Sequence, residues 1–343
     1  MIKLKKEFDN FYDNIKISSE TNMLIEKRQM LQADFKENFP SECEKVGIAV
    51  NKSDMRFIDQ GSYSLHTTIT NKDGIVDRDV AVIFPLDVTE NDDPRILKKC
   101  ARDALKIENS REPVIKEPCI TVGYHKNGEE FLHIDFPLYA EHGDGLYLAR
   151  GKEFSDNYEW EPTDPEGLNK YFCDKLKENS QLRRIIRYLK KWKQEKYRNA
   201  ASDHQIPPSI GLTLLACEKF VVKKEDYVDD DLKALQHVFE EIENCFVCVY
   251  DGNGNVTDAN ITVTLPTKPY TDVFYKLKKS RDAELEFYKK VHSAASALSD
   301  AVNLEAEHDA ALSVQNVLGD EFEIPEKVAV VKTTANRKEH SFG

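Results

Sequence analysis

No apolar run in the 343-residue chain approaches the roughly 18 residues of a membrane span, which argues against a bilayer-embedded class and a membrane partner. The first residues, Met1 to Glu7, read Met-Ile-Lys-Leu-Lys-Lys-Glu and contain no apolar h-region. No signal peptide is expected, and the expected location is the cytoplasm. Basic residues are in deficit, with 48 Lys and Arg against 61 Asp and Glu, a formal charge of −13. That balance argues against nucleic acid as an obligate partner and leaves room only for a local basic groove. Cysteines number seven and are scattered through apolar segments, which suits a reducing compartment and not a disulfide scaffold. Cys245-Phe-Val-Cys248 is a lone CxxC without the second pair or spaced histidines of a zinc site. Residues 244–250 therefore read as a buried strand, their cysteines as small core residues. Asp251-Gly-Asn-Gly-Asn255 lacks the sixth-position Gly and twelfth-position Glu of a calcium loop, since Val256 and Thr262 stand there. It reads as a hairpin turn. Internal repeats and low-complexity blocks are absent.

What is present is a globular composition, 40% hydrophobic and 32% charged, at a length that allows one large or two ordinary domains. Phe8, Phe11, Tyr12 and Ile15 predict a helix over 5–16. Leu24, Ile25, Leu31 and Phe35 predict a second over 22–38, ended by Pro40. Residues 56–60 form a short strand that enters a Gly61-Ser62 turn, with a helical turn beginning near Tyr63. Asn71-Lys-Asp-Gly74 is a turn signal between strands. Asp93-Pro94 opens a helix that carries Ile96, Leu97, Cys100, Ala104 and Leu105. Residues 119–124 and 130–139 form a hairpin around His125-Lys-Asn-Gly128. Alternation puts Phe131, His133 and Asp135 on one face of its second arm, and Leu132, Ile134 and Phe136 on the other.

Beyond residue 165 the pattern becomes helical. Residues 168–177 form a helix, and so do 181–193, with a stripe of Leu182, Ile185, Ile186, Leu189 and Trp192. After a polar loop, Pro207-Pro208-Ser209 starts another. Residues 232–242, 271–298 and 303–318 are the remaining helices. Residues 328–343 read as a loose polar tail around an apolar Val328 to Val331.

The chemistry concentrates in Ile75-Val76-Asp77-Arg78-Asp79-Val80-Ala81-Val82-Ile83-Phe84. On a strand, Asp77 and Asp79 share a face, while Val76, Val80, Val82 and Phe84 bury the strand that holds them. Two adjacent carboxylates repel unless a cation lies between them, and Mg²⁺ favours carboxylates together with substrate phosphates. Asp135 adds a third acid on another apolar strand, and burying three acids without a cation is costly. The plainer reading is of solvated carboxylates on a sheet edge, against which the uniformly apolar flanks stand. The set describes nucleotidyl transfer. Two Mg²⁺ (with Mn²⁺ as a substitute) on Asp77, Asp79 and Asp135 would clamp an in-line displacement at an α-phosphate. Asp77 and Asp79 would bridge both ions, and Asp135 would serve the one that activates the attacking ribose hydroxyl. Ser62 and the backbone N–H groups of the Gly61 turn would hold the β- and γ-phosphates.

These residues resemble the DNA polymerase β-like nucleotidyltransferases. Within that superfamily the chain is similar to the bacterial cyclic-oligonucleotide synthases (CD-NTases), relatives of cyclic GMP-AMP synthase and oligoadenylate synthase. The resemblance is carried by Gln60-Gly-Ser-Tyr-Ser-Leu-His-Thr-Thr-Ile69, Val76-Asp-Arg-Asp-Val80 and His133-Ile-Asp135. It continues through Ile186-Arg-Tyr-Leu-Lys-Lys-Trp192, Pro208-Ser209-Ile210 and Val317-Leu-Gly-Asp-Glu-Phe-Glu-Ile-Pro325, and so covers nearly the whole chain. It implies an α+β, two-lobed fold with a mixed β-sheet core and a helical C-terminal lobe. Residues 1–165 would be the catalytic core with N-terminal spine helices, 166–326 the helical lobe that closes a nucleotide cleft, and 327–343 a flexible tail. It implies that Gln60, Ser62, Lys190 and Ser209 contact the triphosphate, and that Asp272 touches a base or ribose. Lys191 is an equally plausible aligner beside Lys190, and Ser209 reads equally as a helix N-cap. Two departures stand out. Fourteen residues separate Ser62 from Asp77, long for the family. The zinc-ligand cluster and basic patch of the animal DNA sensor are missing, so DNA is not expected as an activator.

The implied function joins ATP and a second NTP into a cyclic di- or trinucleotide for anti-phage defence, read by a separate effector. In some systems of this kind an E1/E2-like ligase conjugates the synthase's C-terminal residue, and the chain's Gly343 would suit it. Chance is the plainer account of that Gly. Two rivals remain open: a linear RNA or tRNA nucleotidyltransferase, and a catalytically inert nucleotide-binding or antitoxin-like module.

Overall fold

The structure, a computed structural model, describes residues 2–17, 21–70, 75–107, 110–127 and 129–327. The turn expected at Asn71 to Gly74 and the tail ending in Gly343 lie outside the described residues. Among those described, no helix is long and apolar enough to cross a membrane.

The chain opens with α1 (Lys5–Ile15) and α2 (Thr21–Glu44). Pro40 does not end α2, contrary to the sequence expectation; it sits inside the helix. Leu31, Phe35, Phe39 and Cys43 repeat every four residues and are fully buried, so the apolar stripe continues past the proline. An interior proline costs about 3 kcal/mol. Burying a Phe-sized side chain returns about 1.5–3 kcal/mol, so Phe39 together with Cys43 offsets it.

The sheet follows. β1 (Arg56–Gln60) leads into α3 (Gly61–Ser64), then β2 (Val76–Pro85), α4 (Pro94–Leu105), β3 (Val114–Ile115), β4 (Ile120–Lys126), β5 (Glu129–Phe136), β6 (Leu138–His142), β7 (Gly145–Arg150) and β8 (Glu159–Thr163). Asp93 caps α4 by accepting from the Arg95 N–H, with Pro94 in the first turn. The strands form one eight-stranded mixed sheet centred on β2. β1 pairs antiparallel with β2 along one edge, and β5 and β6 run parallel to it along the other. Val76 lies opposite Leu132 and Val82 opposite Leu138, so β5 and β6 keep one register. The expected arm over 130–139 is thus a single line interrupted at Pro137. Proline cannot donate to a ladder. At that point the antiparallel neighbour changes from β4 to β7.

The sheet's two faces differ. Val76, Val80, Val82, Phe84, Leu132, Ile134 and Phe136 pack under α2 and α4. Ala81, Ile83 and Tyr139 form a small cluster on the opposite face.

The helical part contains α5 (Pro165–Leu176), α6 (Ser180–Lys196), α7 (Ser209–Lys219), the short hairpin β9 (Lys224–Glu225) and β10 (Val228–Asp229), and α8 (Asp231–Glu243). The hairpin β11 (Val247–Tyr250) and β12 (Val256–Asn260), α9 (Ala283–Asn303) and α10 (Glu307–Leu318) complete it. Leu182, Ile185, Ile186, Leu189 and Trp192 bury the predicted α6 stripe in this core. Phe8, Phe11 and Ile15 of α1 join the same core, next to Tyr188 and Phe322. Two expectations need correction here. β11 is not a buried strand, because Val247, Val249 and Tyr250 are 72%, 52% and 61% exposed. Its only strand partner among the described residues is β12, across the expected Asp251–Asn255 turn. The helix expected over 271–298 begins only at Ala283, since Asp282 sits at φ 62° and breaks the preceding backbone.

Candidate active site

β2 presents its two acids on the face opposite α2 and α4. Arg78, between them in sequence, points into the apolar side and is buried there. Its guanidinium makes three bonds of 3.0–3.1 Å to the Asp59 carboxylate on β1. It also lies 3.8 Å over the Tyr63 ring on α3. One side chain thereby ties β1, β2 and the Gly61-Ser62 turn together, and an Arg at this position forces Asp77 and Asp79 outward together.

The register places Asp77 beside His133 and Asp79 beside Asp135. The three carboxylates therefore share one face of two adjacent strands. Asp135 accepts from the Thr121 hydroxyl on β4, and Lys116 Nζ stands 3.9 Å from it. Gly61 lies next to Asp79. Its φ is +64°, and a Cβ there would lie 2.1 Å from Asp79 Oδ2. Only glycine lets the backbone of the turn approach that carboxylate. The helical turn expected at Tyr63 starts two residues earlier, at Gly61. Gln60 Oε1 accepts from the Tyr139 hydroxyl at 3.2 Å, and Ser62 Oγ lies 3.2 Å from Thr68 Oγ1.

The opposite wall is α6. Lys190 is buried and donates to Thr67 O at 2.9 Å and Thr67 Oγ1 at 3.1 Å. Arg187 donates to Thr68 O and Gln194 to Thr70 O, so one side of α6 grips the chain that follows the Ser62 turn. Lys191 faces elsewhere and pairs with Glu321 and Glu195. Of the two lysines, Lys190 stands over the turn. Lys193 donates to Ser209 Oγ. Ser209 is the first residue of α7, and Pro208 holds the cap position without a side-chain bond, so Ser209 is not an N-cap.

The charges sharpen this picture. Withdrawal from water, then the negative charges of Asp135 and Asp77, push Asp79 up to about 7, with Lys190 opposing. Asp77 is raised by the same withdrawal, which His133 partly offsets. Its side chain keeps 58% of its surface exposed, so the shift reflects depth within the cleft more than contact burial. Withdrawal from water and the neighbouring cations Lys193 and Arg187 bring Lys190 down to about 7. Lys193 is brought down to about 8 by withdrawal from water. Acids starved of positive charge face lysines starved of negative charge. A bound anion with a cation would relieve both.

Among the described residues, no three His, Cys, Asp or Glu side chains converge tightly enough to enclose a metal unaided. Mg²⁺ requires less, because it retains waters and takes one or two carboxylates with substrate phosphates. The all-oxygen donor set and the raised Asp79 fit such an ion.

Asp272, expected against a base or ribose, lies in the helical part ahead of α9. Asp272 accepts from the Val263 and Phe274 N–H groups at 3.1 and 3.0 Å and lies 2.6 Å from Lys278. Its carboxylate shapes a loop of the helical part. Sequence reasoning gave no role to Lys193, Thr121 or His133, although it set His133 on the face of Asp135. Lys193 was detectable, since it lies three residues from Lys190 on one helix face. Thr121 had no signal before its strand register was known.

Residues 55–139 match the family model described as Cyclic GMP-AMP synthase DncV-like, nucleotidyltransferase domain. A curated relative, "Cyclic GMP-AMP synthase" of Escherichia albertii, is 27% identical over 207 residues, covering 57% of this chain and 43% of the relative. The chain thus spans less than half the length of that relative. The apo form of Vibrio cholerae DncV superposes with a TM-score of 0.68 at 16% identity, covering 94% of this chain and 96% of that one. The same enzyme with the linear intermediate 5′ pppA(3′,5′)pG gives 0.64 at 17% identity, covering 92% and 97%. Escherichia coli DncV with 3′-deoxy GTP gives 0.63 at 17% identity, covering 92% and 97%. At these identities the likeness concerns the fold: a mixed α+β chain with a central sheet and a helical C-terminal part.

Proposed function

We propose, for a chain whose residues 55–139 match the DncV-like nucleotidyltransferase model, that the protein joins nucleoside triphosphates into a cyclic di- or trinucleotide. The observation that carries this reading is the single face shared by Asp77, Asp79 and Asp135, with Asp79 beside Asp135 and the Gly61 turn against it. Bound there, two Mg²⁺ ions would supply charge at the attacking and leaving oxygens of an in-line displacement. Ser62 and the turn's N–H groups on one wall, and Lys190, Lys193 and Ser209 on the other, bind the triphosphate of the donor nucleotide. Lysine suits that task as a compact phosphate donor. A ribose hydroxyl oxygen of the acceptor then forms a bond to the α-phosphorus, the α–β anhydride bond breaks, and pyrophosphate leaves. Repeating the step within the linear product closes the ring.

ATP and GTP are the first substrates to test, because the Vibrio cholerae relative is named for cyclic AMP-GMP synthesis and for a pppA(3′,5′)pG intermediate. A cyclic product suits a second messenger that a separate effector reads in anti-phage defence. The deciding experiment incubates the pure protein with Mg²⁺ and labelled NTPs, then with phosphatase. A phosphatase-resistant product whose mass is that of a cyclic oligonucleotide supports the reading. A sensitive ladder turns it to a linear polymerase. No turnover by wild type, in parallel with Asp77→Ala, turns it to a non-catalytic nucleotide-binding module.

A further inference from the structure

β4 and β5 are not regularly paired. Gly123 lies opposite His133 and Tyr124 opposite Leu132, but the next pair is His125 with Glu130. Phe131 is the extra residue of a β-bulge. Alternation had placed Phe131 on the face of His133 and Asp135. The bulge turns it instead toward the apolar core, where it packs with the cluster under α2 and α4. Glu130 takes the vacated place on the cleft face. A bulge next to a functional centre commonly re-aims a side chain in this way.

The re-aimed carboxylate has a definite target. Glu130 Oε2 lies 2.8 Å from His133 Nε2, and the other ring nitrogen, Nδ1, lies 3.3 Å from Asp77 Oδ1. The imidazole thus stands between an acid of the centre and an acid outside it. The cross-strand neighbour makes room: a Cβ on Gly123 would lie 1.9 Å from Glu130 Oε1. Three independent features therefore converge on one contact: the bulge, the glycine opposite, and the register that sets Asp77 beside His133. A His that merely filled a polar strand position would need none of them. Of the three acids Asp77 is the most exposed, with Asp135 already held by Thr121. It has the greatest need of an orienting partner.

We propose that His133 is a positioning residue: anchored by Glu130, it orients the Asp77 carboxylate and so sets the affinity of the centre for a divalent cation. This rests on the reading of the site as a nucleotidyl-transfer centre. The general expectation for removing a carboxylate or imidazole that orients a metal ligand is a loss of about 10–100-fold in metal affinity.

The experiment measures Mn²⁺ binding by electron paramagnetic resonance, with Mn²⁺ alone and with a non-hydrolysable ATP analogue. It uses the full chain and its His133→Asn, His133→Gln and His133→Phe variants, each with a thermal melt. Asn places an amide near Nδ1 and keeps the approach to Asp77. Gln places one near Nε2 and keeps only Glu130. The expected result is Mn²⁺ affinity weakened least by Asn, which keeps the Asp77 contact but loses the Glu130 anchor, and about 10–100-fold weaker for Gln and Phe. Equal losses in Asn and Gln that follow their melting temperatures mark a structural role and overturn the proposal. So does Mn²⁺ binding by Gln and Phe within about twofold of wild type, or no binding by wild type in either mixture. Wild type that shows the expected Mn²⁺ pattern but turns over no NTP pair overturns the functional reading and leaves the positioning role standing.

Discussion

Gly61→Ala tests the idea that the turn and the carboxylate are fitted to one another. Two costs can be separated. The backbone at residue 61 has φ +64°, where an L-residue pays about 1–2 kcal/mol. The added Cβ would also lie 2.1 Å from Asp79 Oδ2, against 3.4 Å or more for ordinary contact. The atom it meets is the far end of a flexible side chain, so the carboxylate moves and the strand stays. That retreat exceeds 1 Å, and a misplacement of that size at a reacting centre costs on the order of 100-fold in rate. The fold should therefore survive with a melting temperature lower by about 1–3 °C, while pyrophosphate release falls by about 100-fold. Gly252→Ala is the control: nothing lies within 4 Å of its Cβ position, and both readouts should stay at wild-type values. Gly61→Ala with turnover within about threefold of wild type would refute the close-approach argument.

Lys190→Met and Lys193→Met should each weaken ATP binding by about 10–100-fold, the value of a charge-assisted hydrogen bond, whereas Lys191→Met, whose lysine pairs with Glu321, should leave it within about twofold; calorimetric titration reads all three. Lys190 and Lys193 are bases lowered to about 7 and about 8, so each is charged below that value and neutral above it. ATP affinity should consequently decline as pH rises from 7 to 9, and the double Met variant should flatten the profile. Lys98 is fully buried and donates to the carbonyls of Lys116, Glu117 and Gly151. Lys98→Met removes the ammonium donor from all three, leaving Glu117 O only the Gly151 N–H, and should lower stability by about 3–5 kcal/mol in urea unfolding.

Much of this was legible along the chain. The alternation around Asp77 and Asp79 required both carboxylates to leave the apolar face together, whatever the strand's neighbours. The stripes of α1 and α6, and the Pro-led starts of α4 and α7, follow from contacts within one or two helical turns. Pro40 and Phe131 misled for a related reason. Each obeys a local preference that distant packing outweighed, through Phe39 and Cys43 in α2 and through the β4–β5 bulge.

The sequence by itself therefore determined which residues carry charge, which faces are apolar, and that an acid pair sits on a buried strand. These follow from backbone periods that repeat every two or 3.6 residues. Only the tertiary structure decided what those faces meet. Adjacent residues such as Lys190 and Lys191 point about 100° apart on a helix. Which of them enters the cleft depends on where α1, α8 and α10 pack. Likewise the register that joins Asp79 to Asp135, and the bulge that delivers Glu130 to His133, depend on pairings between segments some fifty residues apart or set by a single unpaired residue. Side-chain chemistry is local, whereas the shape of the cleft that uses it is a property of the whole packed chain.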